Sequence, residues 1–299
     1  MKVFVTGATG FVGSAVVQEL LAHGHEVLGL ARNADAARAL SKIGVKPHPG
    51  DLTDLGSLRR GAELTDAVIH TGFIHDFSKF AESCEIDRLA IEAIGAELVG
   101  SERPFIITSG IGILTATGKI MQETDRPAAD SKMPRIATER AADAVAALGV
   151  KVSVVRLPPT VHGDGDHGFV PLLIKLANEK QQAAYIGDGG NRWPAVHRLD
   201  AAKLYRLALE TPVEIGTRYH AVAEEGVEFK QIAETIGKQL GFSVSSKNEA
   251  AAADYFGWFL HFASMNCASA ATETRKKLNW IPKEKGIIED LISGQYFSA

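Results

Sequence analysis

Three glycines near the start of the chain have the spacing of a phosphate-binding turn. Gly7, Gly10 and Gly13 follow the apolar run KVFVT and precede the helix-patterned stretch FVGSAVVQELLAHG. A turn that brings backbone N–H groups and a helix N-terminus up to a pyrophosphate needs glycine, because side chains would block the approach. The loop therefore predicts a bound dinucleotide. Further contacts to it are expected from Thr9, Phe11 and Val12.

The end of the next apolar run, HEVLGL, bears on which nicotinamide nucleotide would bind. Ala31, Arg32 and Asn33 follow that run, and the nearest carboxylate, Asp35, lies beyond the strand end. A free ribose 2′-hydroxyl usually meets an acidic residue at this place, whereas a 2′-phosphate needs a cation. An arginine forms a charge-assisted, bidentate pair with such a phosphate. Arg32 therefore predicts NADP(H) in preference to NAD(H).

Elements that could position these residues alternate along the first half of the chain. KVFVTG, HEVLGLAR, DAVIHTG, RPFIITSG and KVSVVRLPP have the pattern of buried strands, and helices rich in Ala and Glu separate them. Such alternation predicts an α/β fold, a Rossmann-type doubly wound parallel sheet with a smaller C-terminal substrate lobe. We expect a nucleotide-binding domain over 1–160 and mainly the substrate lobe over 161–299. Within the latter, 195–223 is expected to return to the main sheet.

Composition and charge exclude several classes of function. The 299 residues are 45% hydrophobic and 23% charged, with a formal net charge of −4 and no long basic run, so nucleic-acid binding is not expected. No apolar run approaches the ~18 residues that a membrane span needs, and no signal peptide is recognised. We therefore expect a cytoplasmic protein with a small-molecule substrate and no membrane partner. Cys84 and Cys267 stand in no metal-ligand spacing, so we predict free thiols and no metal site.

The spacing Gly-x-x-Gly-x-x-Gly after Thr6 resembles that of the short-chain dehydrogenase/reductase superfamily, in its extended, epimerase/dehydratase-like branch. GDLTD, RLPPTVHG and NRWPAVHRLDAA are also similar to segments of that family, and the likeness runs through most of the chain. In the family the first segment borders the adenine and the second passes the nicotinamide, and a homodimer is typical. The cofactor contacts that the resemblance implies are Asp51, Leu52, Thr71, Gly72, Pro158, Pro159 and Thr160.

The catalytic pair of that family is missing from its expected place. A Tyr-x-x-x-Lys pair lies one helical turn apart in the superfamily, yet none of the five tyrosines here has a lysine four residues later. With Glu139 as the family's common glutamate, Arg135 stands where lysine belongs and Ser131 where tyrosine belongs. This resembles an atypical subgroup with His-x-x-x-Arg, from which Ser-x-x-x-Arg departs. Arg135 can anchor ribose hydroxyls but stays protonated, and Ser131 needs a partner to act as an acid.

Hydroxyls and histidines near predicted strand ends are the other catalytic candidates. RPFIITSG carries Thr108 and Ser109, either of which would bind a developing oxyanion. The match to the family's serine is ambiguous by one residue, since that serine could also fall on Gly110. Histidines titrate near neutral pH, and strand ends border the ligand crevice of an open α/β sheet. His75 and His162 are therefore the preferred proton donors or substrate contacts.

Three functions remain open on these residues. The leading hypothesis is an NADP-dependent oxidoreductase that moves hydride to or from a small or medium-sized carbonyl or an activated double bond. A histidine, or a water held by Ser131, would supply the proton. A sugar-nucleotide epimerase or dehydratase fits the extended architecture, but the missing tyrosine counts against it. A redox-sensing protein that binds NADP(H) without chemistry suits the loss of both tyrosine and lysine.

Overall fold

A parallel β-sheet with helices on both faces forms the centre of the computed structural model, which describes residues 1–114, 118–212 and 214–297. The strands are β1 (Lys2–Thr6), β2 (Glu26–Ala31), β3 (Lys46–Pro49), β4 (Ala67–His70), β5 (Pro104–Gly110), β6 (Lys151–Leu157), β7 (Thr160–His162), β8 (Ala183–Ile186), β9 (Arg192–His197), β10 (Thr217–His220), β11 (Glu224–Glu228) and β12 (Val244–Lys247).

The α-helices lie between these strands and after them. They are α1 (Phe11–Ala22), α2 (Ala34–Lys42), α3 (Leu55–Glu63), α4 (Phe80–Leu98), α5 (Ile136–Ala147), α6 (Phe169–Lys180), α7 (Arg198–Glu210), α8 (Phe229–Leu240), α9 (Glu249–Phe256), α10 (Leu260–Ala263), α11 (Thr272–Leu278) and α12 (Ile287–Ser293). Short 3₁₀ turns cover Phe77–Lys79, Ile111–Ile113 and Gly257–Phe259.

The order of the strands creates a crevice at one edge of the central sheet. Seven strands pair in the order β10–β6–β5–β4–β1–β2–β3, and every neighbouring pair is parallel. The direction of strand addition reverses between β1 and β4, so the loops after these two strands leave in opposite directions and open a ligand crevice. Gly7 follows β1 and Gly72 follows β4, and both lie at this switch point. The Rossmann-type α/β fold predicted from the alternation is confirmed.

Burial on both faces explains why the central strands are apolar throughout. In β1, Val3 and Val5 pack in the cluster that includes residues of α1 and α7, whereas Phe4 packs on the opposite face with residues of α3 and α4. On that second face, a methyl group at Gly61 of α3 would fall 2.4 Å from the Phe4 ring. The helices are thus held close to the sheet, which gives the crevice a closely packed floor.

The second half of the chain contributes to the central sheet and also forms a lobe of its own. β10, within 195–223, pairs with β6, while β7, β9 and β11 form a three-stranded sheet and β8 pairs with β12. The core of the lobe is aromatic, and the rings of Trp193, Phe229, Phe256 and Phe259 are buried there. Trp193 therefore packs inside the lobe.

The two edge strands of the central sheet, β3 and β10, limit backbone pairing on their outer sides in different ways. β3 has the sequence KPHP and pairs with β2 in parallel, with Pro47 and Pro49 at alternate positions. At the opposite edge, the backbone N–H of His220 in β10 donates to Thr274 Oγ1 of α11 at 2.8 Å. Pro47 and Pro49 have no N–H group to donate from β3, and Thr274 already accepts the N–H of His220 in β10.

The residues that the structure describes also bear on the thiols, on a membrane span and on a metal site. Cys84 and Cys267 are both buried, free thiols. Within 1–114, 118–212 and 214–297, no helix combines the length and the apolar character that crossing a bilayer requires. The same residues contain no group of three or more His, Cys, Asp and Glu side chains arranged to hold a metal ion.

Candidate functional site

The loop between β1 and α1 forms a tight cradle at the edge of the sheet. Gly7 has φ +67°, in the left-handed region, and a methyl group there would fall 2.8 Å from the Gly72 backbone nitrogen. A methyl group at Gly13 would fall 2.1 Å from the carbonyl oxygen of Gly7. Gly10 closes the turn by donating its N–H to that same oxygen at 2.8 Å. Gly7 and Gly13 are therefore required by a close approach or by the backbone conformation.

The N-terminus of α1 is left without a capping side chain. Gly10 is its N-cap residue, so no side chain accepts from the first turn, and that turn contains no acidic residue. The N–H groups of Phe11, Val12 and Gly13 lack partners within the helix and carry the positive end of its dipole. Thr9 is exposed beside them. The loop therefore fits the diphosphate of a dinucleotide, as its sequence predicts.

The end of β2 presents a cation where the adenosine ribose of such a dinucleotide would lie. Arg32 is exposed directly after the strand. The Asp35 carboxylate is paired with Arg38 in α2, and Asn33 caps that helix by accepting the N–H of Ala36 at 2.9 Å. The nearest acidic group is thus already engaged inside α2, and the strand end is free to meet a phosphate.

Asp51 and Leu52 follow β3, and the Leu52 side chain lies beside the end of β4. One oxygen of Asp51 accepts from the backbone N–H of Thr53 at 2.7 Å and from its hydroxyl at 2.6 Å. These hydrogen bonds, the side-chain one first, lower the pKa of Asp51. The Leu52 side chain reaches Gly72, where a methyl group would fall 2.9 Å from its Cδ2. This arrangement provides an apolar wall and an ionised acceptor on the adenine side.

The remaining predicted cofactor contacts lie at the ends of β4 and β6. Thr71 donates its hydroxyl to the carbonyl oxygen of Thr6 at 2.7 Å, which ties the loops after β4 and β1 together. Residues 158–160 lead from β6 into β7, and Pro159 is partly exposed there. The Thr160 side chain is buried and donates to the carbonyl oxygen of Pro194. The Thr160 hydroxyl is therefore directed into the lobe.

A chain of buried polar side chains runs beneath the crevice from β1 to α5. Thr6 Oγ1 and His70 Nδ1 are hydrogen-bonded at 2.8 Å, and His70 Nε2 lies 3.1 Å from one oxygen of Asp87. The other Asp87 oxygen accepts from Arg135 at 2.8 Å and from the Thr138 hydroxyl at 2.6 Å. The side chains of His70, Arg135 and Thr138 thus meet at the carboxylate of Asp87, which is 1% exposed, and Thr6 of β1 joins them through His70.

The charge of Asp87 is stabilised despite its burial. Desolvation raises the pKa of this carboxyl, but the Arg135 charge and the hydrogen bonds from His70 and Thr138 outweigh it, and the net pKa lies below the usual range. A buried ionised carboxylate is stable only with such partners. Asp87 therefore serves as the anchor of Arg135.

Arg135 is held in one orientation at the nicotinamide end of the crevice. Besides its pair with Asp87, it donates to the carbonyl oxygen of Thr108 at 3.1 Å, and its guanidinium lies 3.9 Å from the centre of the Phe73 ring. A guanidinium has five N–H donors, so others remain for a ligand. The predicted ribose anchor is thus at the crevice and is supported by three elements.

Ser131 does not share a helical face with Arg135, which corrects the predicted pair. α5 begins at Ile136 with Arg135 as its N-cap residue, and Ser131 lies in the preceding turn, where its Oγ accepts from Met133 at 3.4 Å. Pro134 explains the difference, because the residue before a proline is driven out of helical conformation. The helix cannot extend back to Ser131.

Thr108 lies partly exposed at the end of β5, with its hydroxyl already engaged. Its Oγ1 donates to the carbonyl oxygen of His70 at 2.8 Å and is 2.7 Å from the hydroxyl of Tyr205 in α7. Tyr205 is completely buried, and that burial raises its pKa. Tyr205 therefore orients Thr108 from behind and has no access to a substrate.

Ser109 is buried on the opposite face of β5, so the expectation that it binds an oxyanion is wrong. Strand alternation directs it toward Glu139 of α5, away from Thr108. Gly110 lies on the Thr108 face, and the heavy atom nearest to a methyl group there would be the carbonyl oxygen of Leu157, at 3.7 Å. There is room for a hydroxyl-bearing side chain at Gly110, but the chain does not supply one.

His75 lies in the loop after β4, with its ring at 5.2 Å from that of Phe73. Its pKa is lowered, first by desolvation and then by the positive charges of Arg135 and His167. The imidazole is therefore mainly neutral at pH 7, although it remains exposed to solvent. Of the two predicted histidines, this one lies beside Arg135.

His162 is sealed inside the C-terminal lobe, which corrects its predicted role at the crevice. It is 0% exposed, its Nδ1 lies 2.8 Å from Asp290 of α12, and its ring packs edge-on against His197. Desolvation lowers its pKa although Asp290 acts in the opposite direction. β7 pairs with β9 and turns this side chain into the lobe, so it has no contact with a substrate.

Aromatic side chains from both halves of the chain meet above the nicotinamide end. Phe77, after β4, stacks on Trp258 with ring centres 5.3 Å apart, and Phe262 lies edge-on to Phe77 at 5.5 Å. Trp258 is 59% exposed. The C-terminal lobe therefore adds apolar surface to this end of the crevice.

Two residues of the site were not identified from sequence. In the sequence, Asp87 is one of several charged residues of α4. Cys84, Asp87, Ile91 and Ile94 are, however, spaced three, four and three residues apart, and all four are buried on the same face of the helix. That spacing is the signal that could have found it. Tyr205 offered no local signal, because its partner Thr108 is 97 residues away.

Comparisons with known proteins agree with this geometry. A family model described as NAD(P)H-binding matches residues 7–181. An uncharacterized protein of Schizosaccharomyces pombe is 46% identical over 300 residues, covering 99% of this chain and 100% of that protein. The decarboxylating sterol-4-alpha-carboxylate 3-dehydrogenase of Dictyostelium discoideum is 25% identical over 264 residues, covering 82% of this chain and 78% of that enzyme.

Solved structures share the fold across the whole chain. DesIV, a dTDP-glucose 4,6-dehydratase from Streptomyces venezuelae solved with NAD and TYD bound, has a TM-score of 0.78 at 19% identity. The match covers 98% of this chain and 96% of that one. At this level of identity the likeness concerns the fold alone.

Proposed function

We propose that this chain, which belongs to the NAD(P)H-binding family and to the epimerase/dehydratase-like branch of the short-chain dehydrogenase/reductase superfamily, is an NADP-dependent oxidoreductase. Its substrate is a small or medium-sized carbonyl compound or an activated double bond. The observation that carries the proposal is Arg135, fixed by Asp87 at the far end of a crevice that begins with an uncapped glycine cradle. A protein that only needed the nucleotide's adenosine half would have no use for that anchor.

The preference for NADP rests on the end of β2. Arg32 is exposed there, and Asp35, the nearest carboxylate, is paired with Arg38. A bidentate arginine–phosphate pair favours the 2′-phosphate, whereas no free carboxylate of residues 31–35 is available to accept from a 2′-hydroxyl.

At the nicotinamide end, the chain's own groups bind and orient the reacting molecules. The bound nicotinamide supplies or accepts the hydride. The free N–H groups of Arg135 hold ribose hydroxyls, and the Thr108 hydroxyl, oriented by Tyr205, lies at the strand end beside them. The aromatic surface of Phe77 and Trp258 excludes water and favours an apolar substrate.

We assign the role of proton donor to His75. In the reduction of a carbonyl, the carbon receives the hydride and the oxygen receives a proton from His75, which solvent then replaces. Because the pKa of His75 is lowered, its protonated fraction is small at pH 7 and grows toward acid pH. Reduction should therefore slow as the pH rises through that pKa, which lies below the ordinary value of about 6.5.

A second candidate, a sensor that binds NADP(H) without chemistry, is favoured by one observation. Gly110 leaves empty the place on β5 where a hydroxyl would fit, and Ser131 lies outside α5. In a sensor, Arg135 and its hydrogen-bond network would bind the nucleotide, and the only effect of binding would be a change in the shape of the crevice.

One experiment separates the two candidates. Purified protein is titrated with NADPH and with NADH, and cofactor oxidation is then followed across aldehydes, ketones and enones. We expect tighter binding of NADPH and turnover of at least one class. Binding without turnover of any class would favour the sensor, and no binding of either nucleotide would refute both.

The His75→Gln variant tests the proton donor within that assay. We expect kcat to fall by about a hundredfold and the pH dependence of kcat to flatten, with NADPH affinity unchanged. His23→Gln, at the exposed end of α1, is the matched control and should leave both unchanged. A His75→Gln enzyme that keeps the original pH profile would remove His75 from the mechanism.

A further inference from the structure

Helix α7 lies alongside α1 and runs in the same direction. Arg206 donates its Nε–H to Glu19 at 2.7 Å, and these residues lie eight positions beyond the first residues of α7 and α1, Arg198 and Phe11. Because the offset is equal in both helices, their N-termini lie at the same level. The first residue of α7, which belongs to the second half of the chain, is therefore beside the glycine cradle.

Arg198 passes between that cradle and the loop 163–168. Its guanidinium carbon lies 5.2 Å from the centre of the Phe11 ring. A methyl group at Gly163 would fall 3.3 Å from its Cγ, and one at Gly165 would fall 3.8 Å from its Nη1. The glycines thus let the loop backbone follow the arginine closely and hold it beside the N-terminus of α1.

The charge of Arg198 is not neutralised by an ion pair with the residues that the structure describes. It is partly buried, and the contact that orients it is the face of Phe11. The nearby Asp166 accepts from the Gly168 N–H at 2.7 Å and from the Tyr296 hydroxyl at 2.8 Å. A partly desolvated guanidinium without a carboxylate, next to uncapped helix N–H groups, is suited to an anion.

His167 adds a second polar group to the same place. Its ring lies edge-on to Phe11, with centres 5.7 Å apart. Phe11 is therefore flanked by Arg198 on its face and by His167 at its edge. Both groups come from the C-terminal half, whereas the predicted diphosphate contacts come from the loop 7–13.

We infer that Arg198 binds the diphosphate of the dinucleotide from the side opposite the N–H groups of α1, with His167 as its neighbour. The inference rests on nucleotide binding by the cradle and is independent of hydride transfer. It gives the second half of the chain a direct part in cofactor affinity. A charge-assisted arginine–phosphate contact of this kind corresponds to about thirtyfold in affinity.

The test uses full-length protein and four ligands: NADPH, NADH, ADP-ribose and adenosine 2′-monophosphate, which lacks a diphosphate. Arg198→Gln should weaken the first three by about thirtyfold and the fourth by less than twofold. The salt dependence of ADP-ribose binding should become shallower in the same variant. Arg198→Lys should recover part of the loss, because it restores the charge without the bidentate fork.

Arg192→Gln is the matched control, since Arg192 is exposed at the opposite end of β9 and pairs with Glu228. It should change none of the four affinities. Unchanged ADP-ribose binding in Arg198→Gln, or an equal loss for adenosine 2′-monophosphate, would overturn the assignment. Weakened substrate binding with unchanged nucleotide affinity would also overturn it and assign Arg198 to the substrate.

Failure of the Arg198 inference can be distinguished from failure of the proposed oxidoreductase function. Wild-type protein that binds ADP-ribose but turns over no substrate would count against the oxidoreductase, while the Arg198 comparison could still support the diphosphate contact. Wild-type protein that binds none of the four ligands would overturn the cradle and the Arg198 contact together.

Discussion

The two ends of the crevice are built in different ways. At the diphosphate end, the backbone N–H groups that face a ligand lie within residues 7–13, and glycines keep the loop's own side chains away from them. At the nicotinamide end, Arg135 depends on Asp87, which is 48 residues away in the chain, and on the strand end at Thr108. The N–H cradle of the first end is a local property of one loop, and the second end is a property of the assembled fold. Side chains at the second end can therefore be exchanged without altering the first.

The largest effect is expected from breaking the nicotinamide end at its anchor. Asp87→Asn leaves the Arg135 charge without its buried partner, and removing one member of such a pair reduces the free energy of unfolding by about 3 kcal/mol. Urea denaturation measures this loss. Glu82→Gln, on the exposed side of the same helix, should change stability by less than about 0.5 kcal/mol. Equal stabilities for the two variants would show that the anchor is not needed.

The lowered pKa of Asp87 predicts that the free energy of unfolding depends on pH. A group whose pKa is lowered on folding adds stability above its unfolded pKa, about 3.9 for aspartate, and this is lost as the pH falls through the native value. The free energy of unfolding of the wild type should therefore decrease below about pH 4, and the decrease should be smaller in Asp87→Asn. Parallel curves for the two proteins would contradict the assignment.

Nucleotide binding at the diphosphate end should be weakened by a change in the backbone geometry of the loop. In Gly13→Ala the new methyl group meets the Gly7 carbonyl oxygen, so the cradle must open, at a cost of about 2 kcal/mol. We expect NADPH and NADH to bind about thirtyfold more weakly, and by equal factors. Calorimetric titration measures both affinities, and Gly56→Ala within α3 is the control. A variant that discriminated between the nucleotides would place Gly13 near the ribose instead.

Cofactor preference should respond to Arg32 alone. Arg32→Glu opposes a 2′-phosphate and offers the ribose an acceptor, so NADPH binding should weaken by about thirtyfold while NADH binding changes by less than about threefold. Lys42→Glu, at the exposed end of α2, reproduces the charge change and should not discriminate. Equal losses for both nucleotides in Arg32→Glu would refute the NADP assignment.

The smallest effect is expected away from both ends. His162→Gln removes a buried hydrogen bond to Asp290, which should lower the free energy of unfolding by about 1 kcal/mol and leave nucleotide affinity unchanged. Thermal denaturation and NADPH titration are the measurements. A loss of turnover without a loss of stability would return His162 to the crevice.

The sequence was sufficient for the sheet and for the glycine cradle because both depend on short-range patterns. The buried strands are continuous apolar runs, and the glycines lie between a strand and a helix that can be recognised locally. β3 is an exception, because Pro47 and Pro49 in KPHP argue against a strand. Such prolines are tolerated only at an edge, and the position of a strand within a sheet is not written in its own residues.

The catalytic end was only partly predictable, for reasons that particular residues show. Arg135 was placed at the crevice by its spacing from Glu139, but nothing near it in the chain indicated Asp87 as its partner. Ser131 does not share the helix with Arg135 because Pro134 prevents α5 from beginning earlier, a signal that is present in SKMPRIATER. His162 precedes a glycine-rich loop, like many site residues, and only the pairing of β7 with β9 turns it inward.

The outer strands of the sheet bear on how the protein behaves at high concentration. Backbone N–H groups two residues apart point to the same side of a strand, so Pro47 and Pro49 leave the outward side of β3 without donors at both positions. At the opposite edge, Thr274 occupies the outward N–H of His220. Another chain would thus find few donors with which to extend the sheet. Pairing with another chain is therefore hindered along β3 and at His220 of β10, the two edges of an apolar seven-stranded sheet.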